Sequence, residues 1–214
     1  MATVAGIATG PHTLRAMFAS TGAIDDPSDE ALMLAYAAGD AAAFDALYAR
    51  HRSGLYRYFV HHLRAAGHAD ELFQDVWMNV IRVRVTYAPT ARFATWLYTL
   101  AHNRMVDHWR AGARVTTVSI DDDGETAPRA EIESISGARN DEPETRVAAS
   151  EIGARIVAAL ALLPDEQRDA FLLQHEGGHS LAEIGAITGV GDETVKSRLR
   201  YATAKLRAIL KDLQ

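Results

Sequence analysis

Three stretches of this 214-residue sequence carry side chains whose types and spacing can do chemistry. The first is "HEGGH", His175 to His179. On a continuous helix the H-E-x-x-H spacing puts two imidazoles on one face to hold zinc, with the glutamate as general base. Here glycines fill both variable positions, and each costs about 1 kcal/mol relative to alanine in a helix interior. Ser180 follows at once and can cap a new helix. The two histidines are therefore expected in a loop, out of register for tetrahedral ligation. No metal and no other cofactor is expected.

The second stretch is "GVGDETVKSRLRYATAKLRAIL", residues 189–210. Val195, Leu199, Ala202, Leu206, Ile209 and Leu213 keep the three-and-four spacing of a helix packed on a core. The opposite side carries Glu193, Ser197, Arg200 and Ala204, flanked by Lys196 and Tyr201. Just upstream, Leu181, Ile184 and Ile187 fit the buried side of a short helix capped by Ser180. Gly189 and Gly191 permit a tight turn, and Asp192 is expected to cap the helix that follows. This is a helix-turn-helix with its second helix available for a major groove. Lys196, Ser197 and Arg200 can donate to guanine edges or phosphates there.

The third is "TYAPTARFATWLYTLAHNRMVDHWR", residues 86–110. Tyr87, Phe93 and Trp96 stand among arginines, and unpaired DNA needs that combination of stacking surface and cation. Phe93 and Trp96 fit equally well as core anchors. On a helical wheel Phe93, Leu97, Leu100 and Ala101 face inward, whereas Thr99, His102, Asn103, Val106 and Arg110 form a polar side.

These segments must be carried by helices, and nearly everything outside the middle of the chain reads helical. Asp40 can cap a helix whose apolar positions are Phe44, Leu47, Leu55, Phe59 and Leu63, with Gly67 expected to end it. A second helix is expected from about Ala69 to Val83, with Leu72, Phe73, Val76, Trp77 and Val80 on one side. Glu71, Gln74, Asp75, Met78 and Arg82 share the other. Asp70 and Glu71 are explained if they lie in the first turn, where the helix dipole favours carboxylates. The same face also suits docking on a basic partner helix. A loop broken at Pro89 leads to a helix from about Phe93 to Arg110, and helical pattern resumes near Glu144. The expectation is an all-α chain of two helical domains, residues 28–113 and 146–214. An acidic flexible linker, 114–145, joins them, and residues 1–27 form a weakly structured extension.

Composition bounds the function. With no cysteine, disulfides, zinc–thiolate sites and thiol catalysis are excluded. No apolar run approaches the roughly 20 residues of a membrane span, and the N-terminus lacks a secretory pattern. A cytoplasmic protein without membrane insertion is expected. The net charge of −6 is uneven. Ile81 to Arg114 holds six arginines and one aspartate, Val115 to Thr145 nine acids and two arginines, and Asp192 to Gln214 six bases and three acids. Two basic segments suggest two places that meet phosphate. Overall acidity argues against tight binding by the chain alone.

Taken in order, these segments resemble the sigma-70 family of bacterial transcription initiation factors, in the small two-domain extracytoplasmic-function (ECF) form, over about residues 30–210. "AFDALYARHRSGLYRYF" looks like region 2.1 and "ADELFQDVWMNVI" like region 2.2. "YAPTARFATWLYTLAHNRMVDHWR" is similar to regions 2.3 and 2.4, and the chain from "ALALLPDEQ" to "KLRAIL" looks like region 4. The resemblance implies a non-enzymatic subunit that binds core RNA polymerase and directs it to promoters, reading −35 and −10 elements and assisting strand opening. Its partners would be the β′ clamp coiled coil and β flap of the polymerase, promoter DNA and an anti-sigma factor.

By the resemblance, Glu71, Gln74, Asp75 and Met78 meet the polymerase. Tyr87 and Asn103 help hold a flipped −10 base, with Phe93 and Trp96 at strand opening and Asp107 and Arg110 beside them. Lys196, Ser197, Arg198, Arg200 and Tyr201 face the −35 element. The sequence "YAPTARF" lacks the usual Gly-acid pair before its second aromatic, so the preferred base is not implied. The linker acids Asp121, Asp122, Asp123 and Glu125 could stand in for RNA charge within the polymerase, or simply be solvated. Two other classes fit parts of the pattern: a helix-turn-helix repressor or activator that binds operator DNA without polymerase, and a zinc metalloprotease acting through HEGGH.

Overall fold

A computed structural model of the chain describes residues 26–63, 66–115 and 143–211. Four helices come first: α1 (Asp29–Ala37), α2 (Ala41–His62), α3 (Ala66–Val83) and α4 (Phe93–Val115), with a short 3-10 turn at Arg84–Thr86. Then follow α5 (Pro143–Ala161), α6 (Asp165–His175), α7 (Leu181–Thr188) and α8 (Asp192–Ile209). The described elements are all helical, as the sequence periods require. The acidic segment, including Asp121, Asp122, Asp123 and Glu125, lies outside the described residues, as does nearly all of the N-terminal extension.

Side chains set the helix starts. Ser28 accepts the Ala31 N–H at the head of α1, and Asp40 accepts the Ala42 N–H at the head of α2. The first N–H of α4, from Phe93, is satisfied across the fold by Glu30 of α1 at 2.7 Å. Arg50 and His51 of α2 clamp Asp29, each at 2.6 Å, which fixes α1 on α2. Leu47, Leu55, Phe59, Val76, Val80, Phe93, Leu97 and Met105 are then fully buried between the helices.

Two boundaries differ from the sequence reading. The second helix ends at His62 because Leu63 is extended, and Gly67 lies inside α3 rather than closing α2. That earlier start leaves the first turn of α3 without acidic residues, so the dipole does not account for Asp70 and Glu71. The helix-turn-helix is formed by α7 and α8. Ser180 and Glu183 make a reciprocal capping box at its head. Gly189 closes α7 in the left-handed region, φ 71°. Asp192, expected as a cap, is instead the first residue of α8; Gly191 holds the cap position at φ −74° and no side chain bonds there.

The C-terminal helices do not stand apart from the first four; α6 and α7 pack on α2 and α4, and a single buried core runs through both units. Arg168, 8% exposed, fixes this join. It donates to the carbonyls of Leu160 and Ala161 at the end of α5, of Leu163 just beyond it, and of His62, the last residue of α2. One guanidinium thus satisfies the carbonyl ends of two helices from different halves of the chain. Arg168→Met leaves these acceptors buried and unpaired, so it should lower stability by about 3 kcal/mol in urea unfolding. A loss below about 1 kcal/mol would contradict this role.

Candidate nucleic-acid interface

Helix α4 carries the longest line of candidate contact residues. Trp96, Asn103 and Arg110 recur every seven residues, so they lie nearly in line along one side of the helix. At 1.5 Å per residue that line is about 21 Å long, the length of roughly six stacked bases. Asn103, Asp107 and Arg110 are exposed, and Asp107 and Arg110 lie 3.9 Å apart. At the head of the helix the aromatic rings gather: Tyr87 meets Trp96 edge-on at 5.0 Å and Phe93 at 6.2 Å. Phe93 is fully buried and presents no face to a base in this conformation. Trp96 and Tyr87 are half-buried, with the Tyr87 hydroxyl lacking a hydrogen-bond partner among the described residues. Burial, and then the nearby Glu30 and Asp29 charges, push that phenol up.

On α8 the sequence pattern is reproduced: Val195, Leu199, Ala202 and Leu206 are buried, and Lys196, Arg200 and Tyr201 are exposed. Ser197 and Arg198 are half-buried at the edge of this face. The Arg200 guanidinium lies over the Tyr201 ring at 4.9 Å, which holds both against the same side of the helix. On α3, Glu71 and Gln74 are exposed and Met78 is 63% exposed, a large apolar side chain standing in water. Asp75 shares the face but is tied to Arg104 of α4.

The HEGGH segment has a structural rather than a ligating explanation. His175 ends α6, and Gly178 turns the chain at φ 64°. His179 folds back into the protein, 2% exposed and edge-on to Tyr98 at 4.9 Å. A Cβ on Gly177 would stand 2.5 Å from the His179 ring, so that glycine makes room for it. The two histidines share no helix face, and no group of three His, Asp or Glu able to hold a metal occurs among the described residues.

What sequence reasoning did not anticipate is the polar seam between the two halves. Asp169 of α6, 2% exposed, accepts the Tyr58 hydroxyl at 2.7 Å. It also has His102 Nδ1 at 2.9 Å and His62 Nε2 at 3.3 Å. Burial raises this carboxyl, but the bonds and charges of His102 and His62 outweigh it and hold the group well below the usual carboxylate range. Burial keeps His62 itself toward the neutral form. Glu176 accepts from Arg57 at 2.6 Å and has His61 Nδ1 at 3.3 Å. Glu183 accepts from Thr95 at 2.8 Å and from Arg92 at 3.2 Å. The local hint in the sequence is the pair His61–His62 in the last turn of α2, where His62 falls three residues after the buried Phe59.

Comparison with known proteins agrees with this layout. The sequence model of the family Sigma-70 region 2 matches residues 47–115, and that of Sigma-70, region 4 matches residues 153–206. The ECF RNA polymerase sigma factor SigM of Mycobacterium tuberculosis is 31% identical over 183 residues, covering 86% of this chain and 85% of SigM. Among solved structures, CnrH in complex with the cytosolic domain of CnrY aligns with a TM-score of 0.61 at 23% identity, over 87% of this chain and 99% of that one. The sigma factor RpoE of Bartonella quintana, in complex with the anti-sigma factor NepR, aligns at 0.59 and 21% identity, over 78% of this chain and 96% of that one.

The seam makes the fold acid-sensitive in a defined window. Burial lowers His179 from 6.5 to about 4, opposed by the Glu183 charge and assisted by Arg92 and His51. Because the unfolded chain takes up the proton first, this group's contribution is complete above pH 6.5 and is lost as pH falls toward 4. The melting temperature should therefore drop between pH 7 and pH 5, and drop less in His179→Phe. Equal drops in both proteins would contradict this assignment.

Proposed function

We infer what this protein does from one premise: the chain belongs to the sigma-70 family of RNA polymerase sigma factors, of the extracytoplasmic-function type. It is a subunit that directs promoter-specific transcription initiation. The observation that carries the finer reading is the side-by-side presence of three exposed faces of different chemistry, each on the matched family region. The α3 face, with Glu71, Gln74 and Met78, docks on the polymerase; Asp75 joins it when released from Arg104. The C-terminal unit meets the β flap.

The α4 line reads the −10 element as single strand. Asn103 holds a base edge, Asp107 and Arg110 set its position, and Trp96 with Tyr87 offers stacking surface. Extruding a base costs a few kcal/mol, and stacking on an aromatic ring returns about 1–3 kcal/mol per base. Phe93 supports these rings from the core. Lys196, Ser197, Arg198, Arg200 and Tyr201 carry the −35 contact from α8. Polymerase performs the chemistry, and this chain performs none. The protein works in the cytoplasm, beside polymerase and DNA. No helix among the described residues is long and apolar enough to cross a membrane. RpoE, a fold relative, is bound by an anti-sigma factor, and the same exposed faces would be open to such an inhibitor here.

Run-off transcription with core polymerase tests the assignment. Asn103→Ala and Arg200→Ala should each lose about 1–3 kcal/mol of promoter recognition, roughly 5- to 150-fold in yield, with core binding unchanged. Met78→Asp should lose core binding itself. A wild-type chain that binds duplex operator DNA tightly without polymerase would favour the repressor class instead.

A further inference from the structure

The helix that carries the proposed −10 contacts has no side-chain cap from its own flank. Arg92 holds the cap position of α4: its carbonyl accepts the Trp96 N–H at 3.1 Å, but a guanidinium has no acceptor to offer the free N–H groups of the first turn. The Phe93 N–H is met instead by Glu30, 63 residues earlier in the chain. That bond, against the opposing effect of burial, holds the Glu30 carboxyl below the usual carboxylate range. A carboxylate at this end also suits the dipole of a 23-residue helix.

Helix α1, which carries Glu30, is fixed in turn by α2. Arg50 donates to the Pro27 carbonyl at 2.8 Å and pairs with Asp26 and Asp29, each at 2.6 Å, while His51 meets the other Asp29 oxygen. Near the far end of α1 the Tyr36 ring lies under the Arg84 guanidinium at 5.6 Å. Arg84 begins the turn before the loop and Phe93 begins the helix after it, so α1 braces both ends of the segment that bears Tyr87. The Tyr87 hydroxyl has no partner among the described residues, and its ring is held by contacts with Phe93 and Trp96. Trp96 follows Phe93 by one turn, with its ring 5.6 Å from that of Phe93. Fraying of the first turn of α4 would therefore displace both stacking surfaces together.

We propose that Glu30 is a positioning residue for −10 recognition: its bond to the Phe93 N–H holds Tyr87 and Trp96 where unpaired bases stack on them. The proposal rests on the sigma-factor reading above. Glu30 itself need touch no base. It acts by pre-organisation, because a ring already in place has little ordering left to do when a base arrives.

Holoenzyme assembled from core polymerase and the full chain tests this with two probes from a promoter that supports run-off transcription: a fluorescent single-stranded −10 oligonucleotide and a −35 duplex. Glu30→Ala should bind the single strand about tenfold more weakly, the size of a lost helix cap, with core and −35 affinity unchanged. Glu30→Gln keeps an acceptor and should stay within about twofold of wild type. Glu30→Asp keeps the charge in the first turn of α1 but is one methylene too short, so it should resemble Glu30→Ala; it carries the test if the alanine variant does not fold. Wild-type affinity in both the alanine and aspartate variants, a glutamine variant as weak as alanine, or a loss spread equally over −10, −35 and core binding overturns the assignment. Amide exchange at Phe93 in the free chain keeps this separate from the functional reading. It should be slow in wild type and Glu30→Gln, and about tenfold faster in Glu30→Ala. A wild-type holoenzyme with no preference for the −10 strand overturns the functional reading, whereas equal Phe93 exchange in wild type and Glu30→Ala overturns the brace.

Discussion

One buried carboxylate organises the middle of this molecule. Asp169 can lie at 2% exposure only because Tyr58, His62 and His102 converge on it from α2 and α4. A buried ion stripped of its partners costs several kcal/mol, so the position of α6 is dictated by where those three side chains stand. Its neighbour Arg168 completes the constraint by binding the carbonyl ends of α2 and α5. From this pair of residues the placement of α7 follows, and with it the turn that faces Asn103 and Arg110.

The chemistry of the proposed reading faces is simple by comparison. They consist of exposed side chains on helices whose other sides are buried, and their strength comes from being mounted in pairs. A sigma factor with an acidic net charge and only local basic patches holds DNA weakly at each patch, and linkage on a common scaffold turns two weak contacts into a selective one. The polar seam suits such a protein. Its carboxylates Asp169, Glu176 and Glu183 set how the two units sit, alongside the buried core that runs through both.

Much of this was legible in the sequence because it is periodic. The buried stripe of α8, from Val195 to Leu206, and the alternation of Leu72, Val76 and Val80 against Gln74 and Met78 on α3 are one-dimensional signals, and both are as expected in three dimensions. The cap at Ser180 was equally readable, whereas its reciprocal partner Glu183 emerged only in the fold. Asp192 was misplaced by one position because a glycine can hold the cap with no side-chain bond at all. The join between the units left no such trace. Tyr58 and Asp169 are 111 residues apart, and an aspartate in an amphipathic helix looks solvated until its partners are known. HEGGH was read as a break between helices, and the chain does leave α6 at His175; what no sequence period could show is that its glycines answer to the packing of the His179 ring and a left-handed turn.

The central claim is that two separate grips on DNA become a promoter reader only when polymerase mounts them. Footprinting a promoter with the chain alone, core polymerase alone and the two together measures this most directly. The account predicts protection of two patches about 25 base pairs apart, with the −10 patch unpaired, in the mixture only. Protection of both patches by the chain alone, or of neither by the mixture, would contradict it.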